Sequence, residues 1–324
     1  MEVSCKILRK SIHTFLQNYQ NFTTKASLLA LPFSASILLS QALVPLSSSL
    51  FPQIYNHLKT LFYAAGFPSS HLFTILNLKV SQTITSSIFT FPFTLTFFLI
   101  AKAFIIQALN KSEKYSQSSS YDNYKPILHT YFYNTFFILS ANATTFCLLF
   151  LAFSFSEGLG NSSRSLTLFL SAAAVVFFSV ILANVLVMCN MALTVSGMEG
   201  RGGYMAILKA CILLRGKTTM ALFLALPVNV GLAAIEALFQ FRVVRGYYTG
   251  ENSWFFLVLE GIFIAYMYSI FIIIDTIVSC MFYKSCKIRE SWIDKEDKHF
   301  LRIEFIGEEN YYGCLGVKNF QELP

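Results

Sequence analysis

Charge is scarce in this sequence. Asp, Glu, Lys and Arg make up 13% of its 324 residues, against roughly 25% in a soluble domain, which excludes an ordinary water-facing surface. Acidic residues are scarcer still toward the start, where none occurs between Glu2 and Glu113. The seven cysteines (Cys5, Cys147, Cys189, Cys211, Cys280, Cys286 and Cys314) form no C-x-x-C pair, and none falls in a stretch expected outside the cytosol, so a disulfide framework is not expected. Cys280 and Cys286 flank the last apolar run, where thiols can accept palmitate; packing thiols are the plainer reading. H-E-x-x-H and G-x-S-x-G are both missing, and the five histidines are scattered. A metal site, a Ser/His nucleophilic centre or a cofactor therefore has no sequence basis.

What is present is apolar surface. Apolar residues reach 55%, with 34 Phe and 16 Tyr, and the mean hydropathy is +0.57. A bilayer core of about 30 Å needs roughly 20 apolar helical residues. Six stretches meet that condition: 27–51, 85–108, 131–155, 166–194, 219–240 and 254–283. The fold class read from them is all-α, a polytopic transmembrane bundle of about six spanning helices with interfacial amphipathic helices on its cytosolic face.

The net charge of +7 lies between the apolar runs and forms no single patch, so nucleic acid is not an expected partner. Lys and Arg in the N-terminal segment, the second and fourth connections and the tail number eighteen, against five in the other connections. By the positive-inside rule both termini are cytosolic, with the bilayer and its anionic cytosolic headgroups as partners and the endomembrane (ER) or plasma membrane as location. Residues 1–26 read as a basic amphipathic helix on the headgroups, although an acid-poor start also fits a transit peptide. The loop at 52–84 reads as two short interfacial helices around Gly66 and Pro68, and 110–124 as a serine-rich linker. Residues 284–324 read as a charged tail with a short strand near Ile303–Tyr312. Of the glycosylation sequons at Asn21, Asn142 and Asn161, only Asn161 falls in a non-cytosolic connection.

Ionisable residues inside spans are the candidate functional groups, because a charge at a helix centre costs around 2.5–3.5 kcal/mol on insertion scales. Lys102 and Asp275 lie about six and eight residues from the cytosolic ends of their spans, depths that differ by roughly 3 Å, so an ion pair between them is expected. Glu236 and Glu260 lie near the opposite ends of the last two spans, with Arg242 and Arg245 close in sequence to neutralise them. Structural salt bridges and snorkelling account for these charges without any activity. The alternative is a polar pathway for a transporter or channel, using Asn184, Asn190 and Asn229 with Pro227 opening the backbone.

Two motifs are set aside. Gly216-Lys217-Thr218 ends like a phosphate-binding loop, but Cys211 stands where its leading glycine belongs. Gly197, Gly200, Gly202 and Gly203 read as a turn before a surface helix. That helix, Tyr204 to Arg215, alternates apolar positions with Lys209 and Arg215 and is stopped by Gly216.

The entry pattern Ile7-Leu8-Arg9-Lys10-Ser11, together with Glu199, Gly203, Ala206, Lys209, Ala210, Leu213, Leu214, Gly216 and Lys217 between two spans, resembles a plant family of six-span membrane proteins of unknown function. More remotely it is similar to the membrane domain of some bacterial glycerophosphodiester phosphodiesterases. The resemblance implies fold and topology but no activity, since the phosphodiesterase catalytic domain has no counterpart in this sequence. The expectation is a non-enzymatic membrane scaffold or trafficking protein, with protein partners or a homo-oligomer left open. A transporter or channel, or a lipid enzyme, are the alternatives.

Overall fold

A computed structural model describes residues 2–47, 50–64, 71–111, 120–158, 164–249 and 254–318. The serine-rich stretch at 112–119, Gly66, Pro68 and Asn161 lie outside the described residues.

The described residues are all-α, with no strand among them. The chain begins with a nearly unbroken rod: α1 (Glu2–Gln17), a break at Asn18, α2 (Tyr19–Asn21), a π-turn at Phe22–Ala26, and α3 (Ser27–Ser47). After α4 (Leu50–Ala64), a second rod comprises α5 (His71–Phe93), a π-turn at Thr94–Phe98 and α6 (Leu99–Lys111). Next come the long helices α7 (Ser120–Gly158) and α8 (Arg164–Glu199), and the short α9 (Tyr204–Leu214) leads into α10 (Thr218–Phe239). A π-turn at Gln240–Val244, α11 (Arg245–Thr249) and α12 (Trp254–Lys318) complete the fold.

Proline explains the second π-turn. Pro92 lies inside α5, lacks an N–H and crowds the carbonyl four residues back. The wider turn beginning two residues later absorbs that misfit. Its extra residue re-aims the side chains of α6, including Lys102.

Five helical stretches are long and apolar enough to cross a membrane: Tyr19–Ser40, Asn77–Asn110, Ala172–Glu199, Thr218–Thr249 and Trp254–Ile288. They overlap five of the six expected runs; the remaining run, 131–155, lies within the 39-residue α7 but is not one of these five.

Three expectations change. The first helical stretch long and apolar enough to cross a membrane begins at Tyr19, ahead of the expected 27; within the added turns Phe22 and Ala26 are buried and Lys25 is exposed. Residues 72–80 are not a separate interfacial helix but the start of α5. Ile303–Tyr312 is helical within α12 rather than a strand; of its residues only Glu304, Glu308 and Glu309 are strong helix formers. The N-terminal helix keeps its amphipathic pattern, but Ser4, Ile7, Ser11 and Phe15 are buried, so this stripe meets protein. Lys10 and His13 face outward.

The chain divides into two compact units, Met1–Met281 and Phe282–Pro324. Within the first, one core cluster joins Phe15, Phe22 and Ala26 to Leu99, Ile105, Ile106, Ile127, Leu193, Ile273 and Ile277. A second joins Phe33 and Leu38 to Ile235, Phe239, Ile264 and Ile272. Lipid is as apolar as these side chains, so close packing and interhelical hydrogen bonds must hold such a bundle together. Serine supplies both between α3 and its neighbours: Ser27 Oγ lies 3.1 Å from Ser269 Oγ, Ser34 donates to the Ala265 carbonyl at 2.9 Å, and Ser40 Oγ lies 2.7 Å from Ser86 Oγ. The apolar residues left outside, such as Phe169, Val175, Val176 and Phe177 on α8, form the surface that lipid would cover.

Candidate functional site

The buried cation Lys102 is carried by α6, four residues beyond the π-turn, and is only 2% exposed. Its ammonium donates to Asn190 Oδ1 from α8 and lies 5.3 Å from the centre of the Phe98 ring. The same Asn190 side chain donates through Nδ2 to Asp275 Oδ2 at 2.8 Å and to Ser279 Oγ at 3.2 Å, both on α12. The expected Lys102–Asp275 ion pair is thus replaced by a bridge: one carboxamide stands between the two charges. A carboxamide suits this place because its oxygen accepts from the cation while its nitrogen donates to the anion. The bridge ties α6, α8 and α12 together about 13 Å along α8 from Glu199.

The other intramembrane candidates do not join it. Asn184 and Asn229 are exposed and bond within their own helices, to the Val180 carbonyl at 2.9 Å and the Ala225 carbonyl at 3.0 Å. At the far end of the bundle, Glu236 accepts from the Tyr268 hydroxyl at 3.0 Å. Glu260 pairs with Arg242 Nε at 2.6 Å. Arg245 neutralises neither glutamate; it stacks 5.4 Å from the Phe241 ring centre.

The glycine segment before α9 is a packing junction. A Cβ on Gly202 would lie 2.4 Å from the Pro126 carbonyl oxygen, and one on Gly203 would lie 2.9 Å from His129. Gly203 also has φ +84°, which favours glycine. Its N–H, which a phosphate cradle would need, donates instead to Thr130 Oγ1 at 2.9 Å; Thr130 Oγ1 also lies 2.9 Å from Ser196 Oγ. Glu199 and Lys209 clamp the start of this turn to α9 at 2.7 Å. Gly216, at φ +73°, stands just after α9 and lets the chain turn through Arg215 and Lys217 into α10.

The short helix itself has two apolar faces. Ala206, Ala210, Leu213 and Leu214 are buried, whereas Tyr204, Met205, Leu208 and Ile212 are each more than half exposed. Such an outward face suits a headgroup layer or a partner helix.

Among the described residues no three His, Cys, Asp or Glu side chains converge as a metal site. Sequence reasoning missed the Thr130–Ser196–Gly203 junction, because hydroxyls carry no periodic signal of their role. It also missed Ser279, although its place one helical turn after Asp275 offered a clue. A family model described as a domain of unknown function, DUF8558, matches residues 3–301. No curated protein and no solved structure matches the chain.

Proposed function

We propose that this chain, which belongs to the DUF8558 family, is a multi-pass membrane scaffold or trafficking protein, non-enzymatic, with both termini in the cytosol. The observation that carries this reading is the doubly apolar α9: its inner face is seated on the bundle and its outer face is open. The basic groups around it, Arg201, Arg215 and Lys217, stand where the positive-inside rule puts the cytosolic side. The outer face then receives a protein partner at the headgroup level. The test is co-purification of the full chain with Leu208→Gln and Ile212→Gln introduced together. Both residues are exposed, so the fold is expected to survive, read as an unchanged elution profile in detergent. Loss of a reproducible partner set supports the reading; an identical partner set overturns it.

A transporter or channel is the second reading, favoured by Lys102, a cation almost fully enclosed within an apolar helix. Against it, the Asn190 amide is committed to Lys102, Asp275 and Ser279, and Asn184 and Asn229 stand apart from that network. A fixed strut between three helices explains this geometry more simply than a pathway. Tags read out for accessibility at each terminus test the orientation, and a tag reached from the non-cytosolic side overturns it.

A further inference from the structure

At the end of the bundle away from α9, an open groove of about 800 Å³ runs along α12. Its apolar walls include Leu31, Leu257, Ile262, Phe263 and Tyr266, and Arg242 and Glu260 lie on its rim. We propose that this groove holds one phospholipid with a zwitterionic, ethanolamine-type headgroup.

Depth is the first argument. Trp254, at the start of α12, is 77% exposed, and Tyr247, Tyr248, Phe255 and Phe256 are exposed close by in sequence; such an aromatic belt marks the headgroup level. Glu260 is six residues further along, about 9 Å. Each headgroup layer is roughly 5–7 Å thick, the difference between a full bilayer and its hydrocarbon core. Arg242 and Glu260 therefore lie where phosphate and glycerol meet the acyl chains. The apolar wall continues from Glu260 to Tyr266, into the leaflet.

Charge complementarity is the second argument. Arg242 meets Glu260 through Nε, leaving its two terminal nitrogens free of any hydrogen bond to the described residues. Those N–H groups present a fork that fits two phosphate oxygens. The second carboxylate oxygen of Glu260 takes no hydrogen bond from the described residues; it is an acceptor for an ammonium and a repulsive element against a headgroup with net negative charge. A cation and an anion side by side thus match a phosphate and an amine side by side.

The proposal does not depend on the partner assigned to α9. Its test uses the full chain in mild detergent, offered equal amounts of phosphatidylethanolamine and phosphatidylglycerol, with bound lipid read by native mass spectrometry. Wild type is expected to retain one ethanolamine lipid in preference to the glycerol lipid. Arg242→Gln should lower retention of both by about tenfold or more, as loss of a charged hydrogen bond implies. Glu260→Gln should erase the preference while keeping the total. Leu31→Trp narrows the groove away from the charges and should also displace the lipid, which keeps the test decisive if Arg242→Gln fails to fold. Equal retention of the two lipids by wild type, or unchanged retention in both Arg242→Gln and Leu31→Trp, overturns the proposal.

Discussion

Two of the charge pairs in the bundle have settings that differ in nearly every respect. Near α9, Lys102 is enclosed and reaches Asp275 only through Asn190. At the far end, Arg242 touches Glu260 directly, with side chains 57% and 29% exposed. Lys102 has little access to water, so it depends on the groups around it, and removing them leaves an uncompensated ion. In the second, headgroups and water can replace a lost partner. The number of polar contacts is therefore a poor guide to their worth, and enclosure is a better one.

The comparison breaks most sharply at the bridge. Asn190→Leu removes an acceptor from Lys102 and a donor from Asp275 while roughly keeping the volume. The expected loss is about 3 kcal/mol or more, because two charged groups each lose a hydrogen-bond partner, read as a large drop in the thermal unfolding midpoint of the protein in detergent. The triple variant Lys102→Met, Asn190→Leu, Asp275→Leu should recover most of that loss, since an apolar replacement of a buried ion pair is often neutral. If Asn190→Leu unfolds at the wild-type temperature, the bridge is not what holds α6, α8 and α12 together.

Next in size is the junction under α9. Gly202→Ala would press a methyl group against the Pro126 backbone, which unlike a side-chain tip has no easy way to yield. A loss of about 1–3 kcal/mol is expected, the usual cost of overpacking. Gly200 is a useful contrast because it has φ +68° but nothing within 4 Å of an added Cβ. Gly200→Ala should cost only the left-handed backbone term, about 1–2 kcal/mol. A Gly202→Ala loss smaller than that of Gly200→Ala would show that α9 is not tightly seated on α7.

Both sites show how far sequence reasoning reaches. The apolar runs and the scarcity of charge were enough to assign an all-α membrane fold, because hydropathy over about 20 residues is a strong local signal. Lys102 and Asp275 stood out for the same reason, as ions where ions are costly. That Asn190 lies between them was not legible, since it depends on how three helices rotate and cross. Pro92 drew no attention in the sequence, so neither its π-turn nor the way that turn re-aims Lys102 was legible. The early start of the first apolar helix was hidden by Lys25, whose charge reads as a boundary when only composition is considered. Arg242 and Arg245 looked equivalent beside Glu236 and Glu260. A third π-turn and the facing α12 send one to Glu260 and the other onto Phe241.

A smaller effect is expected where a hydroxyl links helices. Thr130→Val keeps the shape of the side chain but removes the acceptor for the Gly203 N–H and the link to Ser196. Leaving that buried N–H unmet should cost about 1–3 kcal/mol, toward the lower end if local relaxation admits water. The discriminating readout is faster proteolysis at Arg201 and Lys209 with little change in the global unfolding midpoint. A midpoint shift as large as that of Asn190→Leu would mean that α9 belongs to the same cooperative unit as the buried bridge.

The smallest effect on stability should come from the exposed pair. Arg242→Gln breaks a direct ion contact of 2.6 Å, shorter than the Asn190–Asp275 bond, yet its expected cost in detergent is at most about 1 kcal/mol. Glu260 is then left with an open carboxylate at a rim that solvent can reach, so no ion is stranded. Raising the salt concentration should reduce even this small difference, because exposed charges are screened over a Debye length of about 8–10 Å. The Asn190→Leu loss should be much less sensitive to salt, because buried and partly buried charges are screened much less. A salt-sensitive loss at Asn190, or a salt-insensitive loss above about 3 kcal/mol at Arg242, would exchange the roles of the two sites and show that enclosure is not what separates them.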